Sequence, residues 1–144
     1  MAYGAMGENL CVDGLDESCV YVGDIHKVGS LVLQVSQPRK PCFKLSKRWG
    51  NENMATHIFK TGLTGWYYRV LTPGSCKAGD AIEVIESDPV HMSILEINRL
   101  FYVPSENLNL LEKFNALTTL TNGWHDDMKR RIEGIYSTEF MRTL

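Results

Sequence analysis

The residues best suited to chemistry lie in the segment Gln37–Cys42, which reads Gln-Pro-Arg-Lys-Pro-Cys. An alternating valine-rich run precedes this segment, and its two prolines oppose both strand pairing and helix formation. The thiol is therefore predicted to lie at a rigid corner between a strand and a helix. Arg39 and Lys40 precede Cys42 and Lys44 follows it, and nearby cations favour the thiolate, which acts as a nucleophile or a metal ligand. Equally, Cys42 could be a small apolar residue at a helix start, because free cysteines are usually buried and inert.

A second candidate is the glycine-punctuated loop Thr61–Gly65, which leads into the aromatic strand Trp66–Leu71. Flanking glycines can leave backbone N–H groups accessible to an anion, as in phosphate-binding nests, although the loop lacks the lysine of a Walker motif. Arg69 lies in the middle of the strand. We expect it to point to solvent unless it is retained for a carboxylate or a phosphate.

The elements that must position these residues are short. The first ninety or so residues are predicted to form strands with two short intervening helices, which is typical of a strongly bent sheet or barrel. The predicted strands are Leu31–Val35, Trp66–Leu71 and Ala81–Glu86, and the predicted helices run from Cys42 towards Gly50 and from Met54 to Gly62.

The composition changes after Val90, where three short helices with a small core of their own are predicted. Ser93 begins a capping-box pattern for the first helix, and Ser105 and Asn122 are the predicted caps of the second and third. The pattern predicts two domains, residues 1–90 and residues 91–144, which meet near a proline.

The composition of the 144 residues argues against several classes of function. A formal net charge of −2 argues against a general nucleic-acid binder. The sequence contains neither an apolar run long enough to span a bilayer nor a signal-peptide pattern, so we predict no membrane association and a cytoplasmic location. The four cysteines lack zinc-ligand spacing and are predicted to be free thiols: Cys11, Cys19, Cys42 and Cys76.

Five short motifs follow one another along the chain. They are Gly7-Glu8-Asn9, Gly23-Asp24, Gln37–Cys42, the segment from Thr61 to Val70, and Gly79-Asp80. With the three C-terminal helices, this order resembles the MOSC domain, the molybdenum-cofactor-sulfurase C-terminal family. The closer similarity is to the branch associated with resistance to 6-hydroxylaminopurine, and it extends from Gly7 to about Gly134.

The resemblance implies a β-barrel that binds the molybdenum cofactor, a molybdopterin whose dithiolene holds the metal and whose phosphate needs anion contacts. It implies that Cys42 is the catalytic cysteine and the thiolate ligand of molybdenum, in agreement with the soft character of that ligand. It also places a further set of residues at cofactor-facing positions: Asn9, Arg39, Thr61, Gly62, Gly65 and Arg69.

The sequence departs from the family pattern at its start. The family barrel has upstream strands and a His-Gly-Gly segment, for which Met1–Met6 cannot stand. We therefore expect a mainly β protein with α, in which a partial MOSC-type barrel is followed by a three-helix module. A second chain that supplies the missing strands, or a homodimer, is an expected partner.

The resemblance implies an oxidoreductase that reduces an N-hydroxylated base or a related small molecule to the amine. Such a reaction needs two electrons from a partner reductase that contains flavin or an iron–sulfur cluster. An alternative is a sulfur or cofactor carrier with a persulfide on Cys42, acting beside a sulfurase that binds pyridoxal phosphate. A third possibility is a non-catalytic remnant.

Overall fold

A computed structural model describes residues 3–137 and shows one antiparallel sheet covered by helices. The sheet order is β3-β2-β1-β4, with β1 at Ile25–Val28, β2 at Leu31–Pro38, β3 at Trp66–Thr72 and β4 at Ile82–Glu86. The three predicted strands are confirmed, and the expected combination of a mainly β part with a helical part is confirmed as well. Within residues 3–137 the sheet is open, with β3 and β4 as its two edges.

The β1–β2 hairpin turns at Gly29, whose φ of +58° lies in the left-handed region that favours glycine. A Cβ atom on residue 29 would lie 2.5 Å from the carbonyl oxygen of Ser75, so the close approach of that loop also requires glycine at this position. The hairpin pairs Ile25 with Gln34 and Val28 with Leu31. β2 continues into the Gln37–Cys42 segment, where Gln37 and Pro38 pair with Tyr67 and Trp66 of β3. The expectation that both prolines oppose strand pairing was therefore wrong for Pro38, which is the last residue of β2.

The edge strand β4 exposes apolar residues on both of its faces. Val84 and Ile85 are consecutive, so they point to opposite faces, and each is about half exposed. Glu83 and Glu86 of the same strand are also exposed. The opposite edge, β3, has exposed Val70 in the same way.

The two short helices after Cys42 form as predicted. They are α1, Phe43–Trp49, and α2, Met54–Thr61. Each is followed by a left-handed glycine at its C-terminus, Gly50 and Gly62, whose N–H groups bond back to helix carbonyls. Glycine therefore ends both helices, and Gly62 directs the chain into the loop that precedes β3.

The C-terminal helices begin at a capping box, in which Ser93 and Glu96 accept each other's backbone N–H groups, as predicted. The described elements here are α3 at Ile94–Tyr102, α4 at Pro104–Asn107, a 3-10 helix at Leu108–Leu110, α5 at Leu111–Asn115 and α6 at Asn122–Ile132. The second predicted helix is therefore three short segments. No helix between residues 3 and 137 combines the length and the apolar character needed to cross a bilayer.

Two predicted caps were wrong by one or two residues. Ser105 lies inside α4, because Pro104 occupies the first turn, where its missing N–H carries no cost. Asn122 is the first residue of α6, and Thr121 before it has the extended backbone of an N-cap.

One continuous core joins the sheet to the helices. Val20, Val22 and Val35 from the first half of the chain pack with the buried face of α3, including Phe101, and with Trp124 of α6. All five side chains are essentially inaccessible to solvent. The expected core of the helices is thus continuous with that of the sheet, so each part buries the apolar surface of the other.

Candidate functional site

The structure places Cys42 at the predicted corner between β2 and α1. Its backbone is extended, with φ −141° and ψ 164°, and it occupies the N-cap position of α1. Its carbonyl accepts the N–H of Leu45 at 3.1 Å, but its sulfur caps no N–H of the helix. The thiol is free and half-buried, while Pro41 beside it is buried. Cys42 therefore combines a rigid backbone with a sulfur that is available for chemistry.

The cations next to Cys42 in sequence have partners of their own. The ammonium of Lys40 pairs with the carboxylate of Asp127 in α6. The guanidinium of Arg39 donates to the carbonyl of Met6 at 2.6 Å, and its backbone N–H donates to the carbonyl of Gly65 at 3.0 Å. Arg39 and Gly65, both predicted site residues, are thus brought together, and Arg39 lies three residues before Cys42.

Three side chains hold the N-terminal segment against the Cys42 corner and α1. Arg48 donates to the carbonyl of Gly4 at 3.0 Å, Trp49 to that of Ala5 at 2.8 Å, and Arg39 to that of Met6. Three successive carbonyls therefore have side-chain donors. The segment Gly4–Met6 is therefore fixed by hydrogen bonds to residues that are distant in sequence.

Glu8 closes this segment and leads to the predicted site residue Asn9. Its carboxylate accepts the backbone N–H groups of Gly4 at 2.6 Å and Met6 at 2.9 Å. The hydrogen bond from its own backbone N–H, with those from Gly4 and Met6, lowers the pKa of Glu8, and the charge of Arg39 acts in the same direction. Asn9 itself is exposed.

The Thr61–Gly65 loop does not present the free N–H groups that an anion nest requires. The four N–H groups from residue 62 to residue 65 all have acceptors within the chain. These acceptors are the carbonyl of Ile58, the hydroxyl of Thr61, the carbonyl of Gly62 and the carboxylate of Glu17, respectively. The Gly65 bond to Glu17 is short, at 2.7 Å, so a carboxylate of the protein itself occupies that donor.

Two buried polar residues that sequence analysis missed support this loop. Glu17 is 7% exposed and accepts the N–H of Gly65. Asn98 of α3 is fully buried, and its amide nitrogen donates to the carbonyl of Gly62 at 2.8 Å and to the hydroxyl of Thr64 at 2.9 Å. Asn98 lies four residues after Ile94 on the buried face of α3, and a polar residue in an apolar stripe was the available sequence signal.

Arg69 and Thr61 make contacts of a different kind. The guanidinium of Arg69 is exposed and donates to the side chain of Gln34 at 2.6 Å and to the carbonyl of Thr119 at 3.5 Å. The hydroxyl of Thr61 donates to the carbonyl of His57 at 3.0 Å, within its own helix. Among residues 3–137, the hydrogen bonds of the Arg69 guanidinium are therefore with β2 and the segment before α6 and not with the Cys42 corner.

Surface cavities are found in the described part of the chain. One of about 300 Å³ lies beside the corner, and its walls include Pro38, Lys40, Tyr67 and Trp124. One of about 400 Å³ lies near the start of α3 and contains none of the predicted site residues. Among residues 3–137, no three His, Cys, Asp or Glu side chains converge to form a metal site.

The family model described as MOSC domain matches residues 1–83. The uncharacterized protein YflK of Bacillus subtilis is 34% identical over 96% of this chain, and YiiM of Escherichia coli K12 is 36% identical over 90%. A protein of Gibberella moniliformis named Reductase is 35% identical over 94%. The chain spans 63%, 58% and 24% of the lengths of these three curated relatives.

Solved structures show the same fold. The crystal structure of YiiM from Geobacillus stearothermophilus superposes with a TM-score of 0.85 at 32% identity. The match covers 92% of this chain and 68% of the YiiM chain. The crystal structure of YiiM from Escherichia coli superposes with a TM-score of 0.84 at 33% identity. This match covers 97% of this chain and 70% of the YiiM chain.

Proposed function

Because the chain belongs to the MOSC domain family, we propose that it binds the molybdenum cofactor through Cys42 and reduces N-hydroxylated small molecules. The observation that carries this proposal is the position of the thiol. Cys42 lies half-buried at a proline-bounded corner, and its sulfur does not serve as a helix cap. A thiolate held in this way is a suitable soft ligand for a transition metal.

A single protein ligand, the Cys42 thiolate, fits a metal whose other ligands belong to its cofactor. Within residues 3–137 no three ligating side chains converge, and the other free cysteines lie outside the Gln37–Cys42 corner. A single protein thiolate is compatible with a metal whose remaining ligands come from the dithiolene of a pterin. When bound, the cofactor would supply two-electron transfer of an oxygen atom from the substrate.

The residues around Cys42 have separate tasks in this proposal. Arg39 lies three residues before Cys42, and its backbone bond to Gly65 ties the corner to the Thr61–Gly65 loop. Asn9 is exposed and follows the segment that Arg39 holds. We include Asn9, Arg39, Thr61, Gly62, Gly65 and Arg69 as contacts to the cofactor. Because the loop N–H groups already have acceptors, contacts from Gly62 and Gly65 would come through close backbone approach.

The reductive direction is supported by the name Reductase of the Gibberella moniliformis relative. The electrons would come from a separate protein that contains flavin or an iron–sulfur cluster. The cavity of about 300 Å³ beside Lys40 is at the small end of the range for ligand pockets.

The test is the molybdenum and pterin content of protein purified from a host that makes the cofactor. Cys42→Ser should lower the molybdenum content at least about tenfold, because a hydroxyl is a poor replacement for a thiolate. Cys76→Ser is the matched control, since Cys76 is also free and half-buried, and it should retain the metal. Molybdenum at the wild-type level in Cys42→Ser would refute the ligand assignment.

Activity is measured separately, as amine formed from an N-hydroxylated base with a reduced viologen dye as electron donor. We expect turnover in the metal-loaded wild type and in Cys76→Ser, and none in Cys42→Ser. A metal-loaded protein that forms no amine from any N-hydroxylated compound would refute the proposed reaction and leave the metal site intact.

A further inference from the structure

Lys40 is enclosed by groups from the C-terminal helices. Its ammonium pairs with the carboxylate of Asp127 and lies 4.3 Å from the ring centre of Trp124. The rings of Phe101 and Tyr136 lie at 5.4 and 5.7 Å. Trp124 and Phe101 belong to the core shared by sheet and helices. The lysine that precedes the thiol by two residues is therefore anchored to the protein interior.

This arrangement differs from an ordinary surface ion pair. Exposed pairs contribute little because solvent screens them, whereas the side chains of Lys40 and Asp127 are only 24% and 26% exposed. An ammonium over an aromatic face is attracted by the ring quadrupole, and the attraction is stronger when water is displaced. Arg130, 3.8 Å from the same carboxylate, is a second cation facing Asp127.

The anchor is coupled to Cys42 through a short and stiff stretch of backbone. Pro41 separates the two residues and fixes its own φ, and two residues of extended chain span at most about 7 Å. On the other side of Lys40, the N–H of Arg39 bonds to Gly65. The backbone before the thiol is therefore held by the Thr61–Gly65 loop through Gly65 and by α6 through Lys40.

We propose that Lys40 is a positioning residue that fixes the orientation of the Cys42 thiol by tying the Pro41–Cys42 corner to α6. The importance of that orientation for metal ligation rests on the function proposed above. The C-terminal helices thereby contribute to the site without supplying a ligand. Loss of the anchor should free the corner and make the half-buried sulfur more accessible.

The test is the alkylation rate of Cys42 by iodoacetamide in the full-length, cofactor-free protein. Peptide mass spectrometry separates the rate at Cys42 from that at Cys76, which serves as an internal reference. Lys40→Met keeps the length of the side chain and removes the charge, and it should raise the Cys42 rate about threefold or more because the corner opens more often. Lys40→Arg should restore the wild-type rate, since arginine also stacks over aromatic rings.

Lys44→Met is the matched control, because Lys44 is exposed on the other side of Cys42. A lost positive charge alone would disfavour the thiolate and slow alkylation, so this variant should not react faster than wild type. An unchanged or slower Cys42 rate in Lys40→Met, or an equal acceleration in Lys44→Met, would overturn the proposal. If Lys40→Met does not fold, Asp127→Asn removes the same pair from α6, and an unchanged rate there would overturn it too.

Molybdenum content separates this inference from the proposed function. Lys40→Met should lower the metal content of protein from a cofactor-making host, whereas Lys44→Met should not. Faster alkylation in Lys40→Met together with normal metal in Cys42→Ser would refute the ligand role and retain the anchoring role.

Discussion

Replacement of Asn98 by aspartate should destabilise the protein strongly, because the amide nitrogen faces two oxygen atoms. Asn98 is fully buried, and its nitrogen donates to the carbonyl of Gly62 and to the hydroxyl of Thr64. Asn98→Asp keeps the size of the side chain and puts a carboxylate oxygen 2.8 Å from the Gly62 carbonyl oxygen. The substitution thus exchanges a donor for a buried negative charge.

The magnitude follows from the contacts. The carbonyl of Gly62 retains the N–H of Thr64 as a donor, and the hydroxyl of Thr64 still donates to Gly65. Loss of the two amide bonds alone therefore costs about 1–3 kcal/mol. Burial of an unpaired charge in place of a neutral amide adds to this, so we expect a total of about 3–5 kcal/mol at neutral pH.

Urea unfolding followed by circular dichroism measures this cost, and the melting temperature should fall by about 10–20 °C. Burial raises the pKa of the introduced carboxyl group, and its protonated form can donate again, so stability should recover as the pH falls. Asn107→Asp is the control, since the Asn107 amide also donates to a backbone carbonyl, that of Val103, but is partly solvated. A loss below about 1 kcal/mol in Asn98→Asp, without recovery in acid, would show that the amide nitrogen does not face the loop.

Two further predictions concern stability. Burial lowers the pKa of His26 below its usual value of 6.5, although the charge of Asp24 opposes the shift. The unfolded chain therefore binds a proton at His26 more readily than the folded chain does. Stability should therefore fall as the pH drops below about 6.5, and His26→Asn should flatten that dependence of the urea midpoint; an equal slope in both proteins would contradict it. Truncation after Ser87 removes the helices that cover Val20 and Val35, so the truncated chain should show no cooperative unfolding transition, and a sharp transition would mean that the sheet folds alone.

The local elements around the site could be predicted from the sequence because their signals are local. Gly50 and Gly62 end the two short helices, Pro41 lies at the corner before Cys42, and Ser93 begins its helix with a capping box. Each of these signals lies within a few residues of the structure that it specifies. Where two local signals compete, as with Pro104 before a potential serine cap, the position of the boundary shifted.

The supports of the site could not be predicted, because they join residues far apart in sequence. Glu17 reaches Gly65 over 48 residues, Asn98 reaches Gly62 over 36, and Lys40 reaches Asp127 over 87. No periodicity or cap specifies such a pair. The Thr61–Gly65 loop illustrates this difficulty. Its glycines suggested free N–H groups, but the N–H of Gly65 donates to the carboxylate of Glu17, which is distant in sequence.

The edge strand β4 has a consequence for how the protein behaves in concentrated solution. Its outer backbone groups and the exposed Val84 and Ile85 make it a template for pairing with another chain. Glu83 and Glu86 on the same strand bring like charges together when two copies pair edge to edge. Because salt screens exposed charges over about 10 Å at 0.1 M, that repulsion is strongest in dilute buffer. Pairing of two copies through β4 should therefore increase as the ionic strength of the buffer rises.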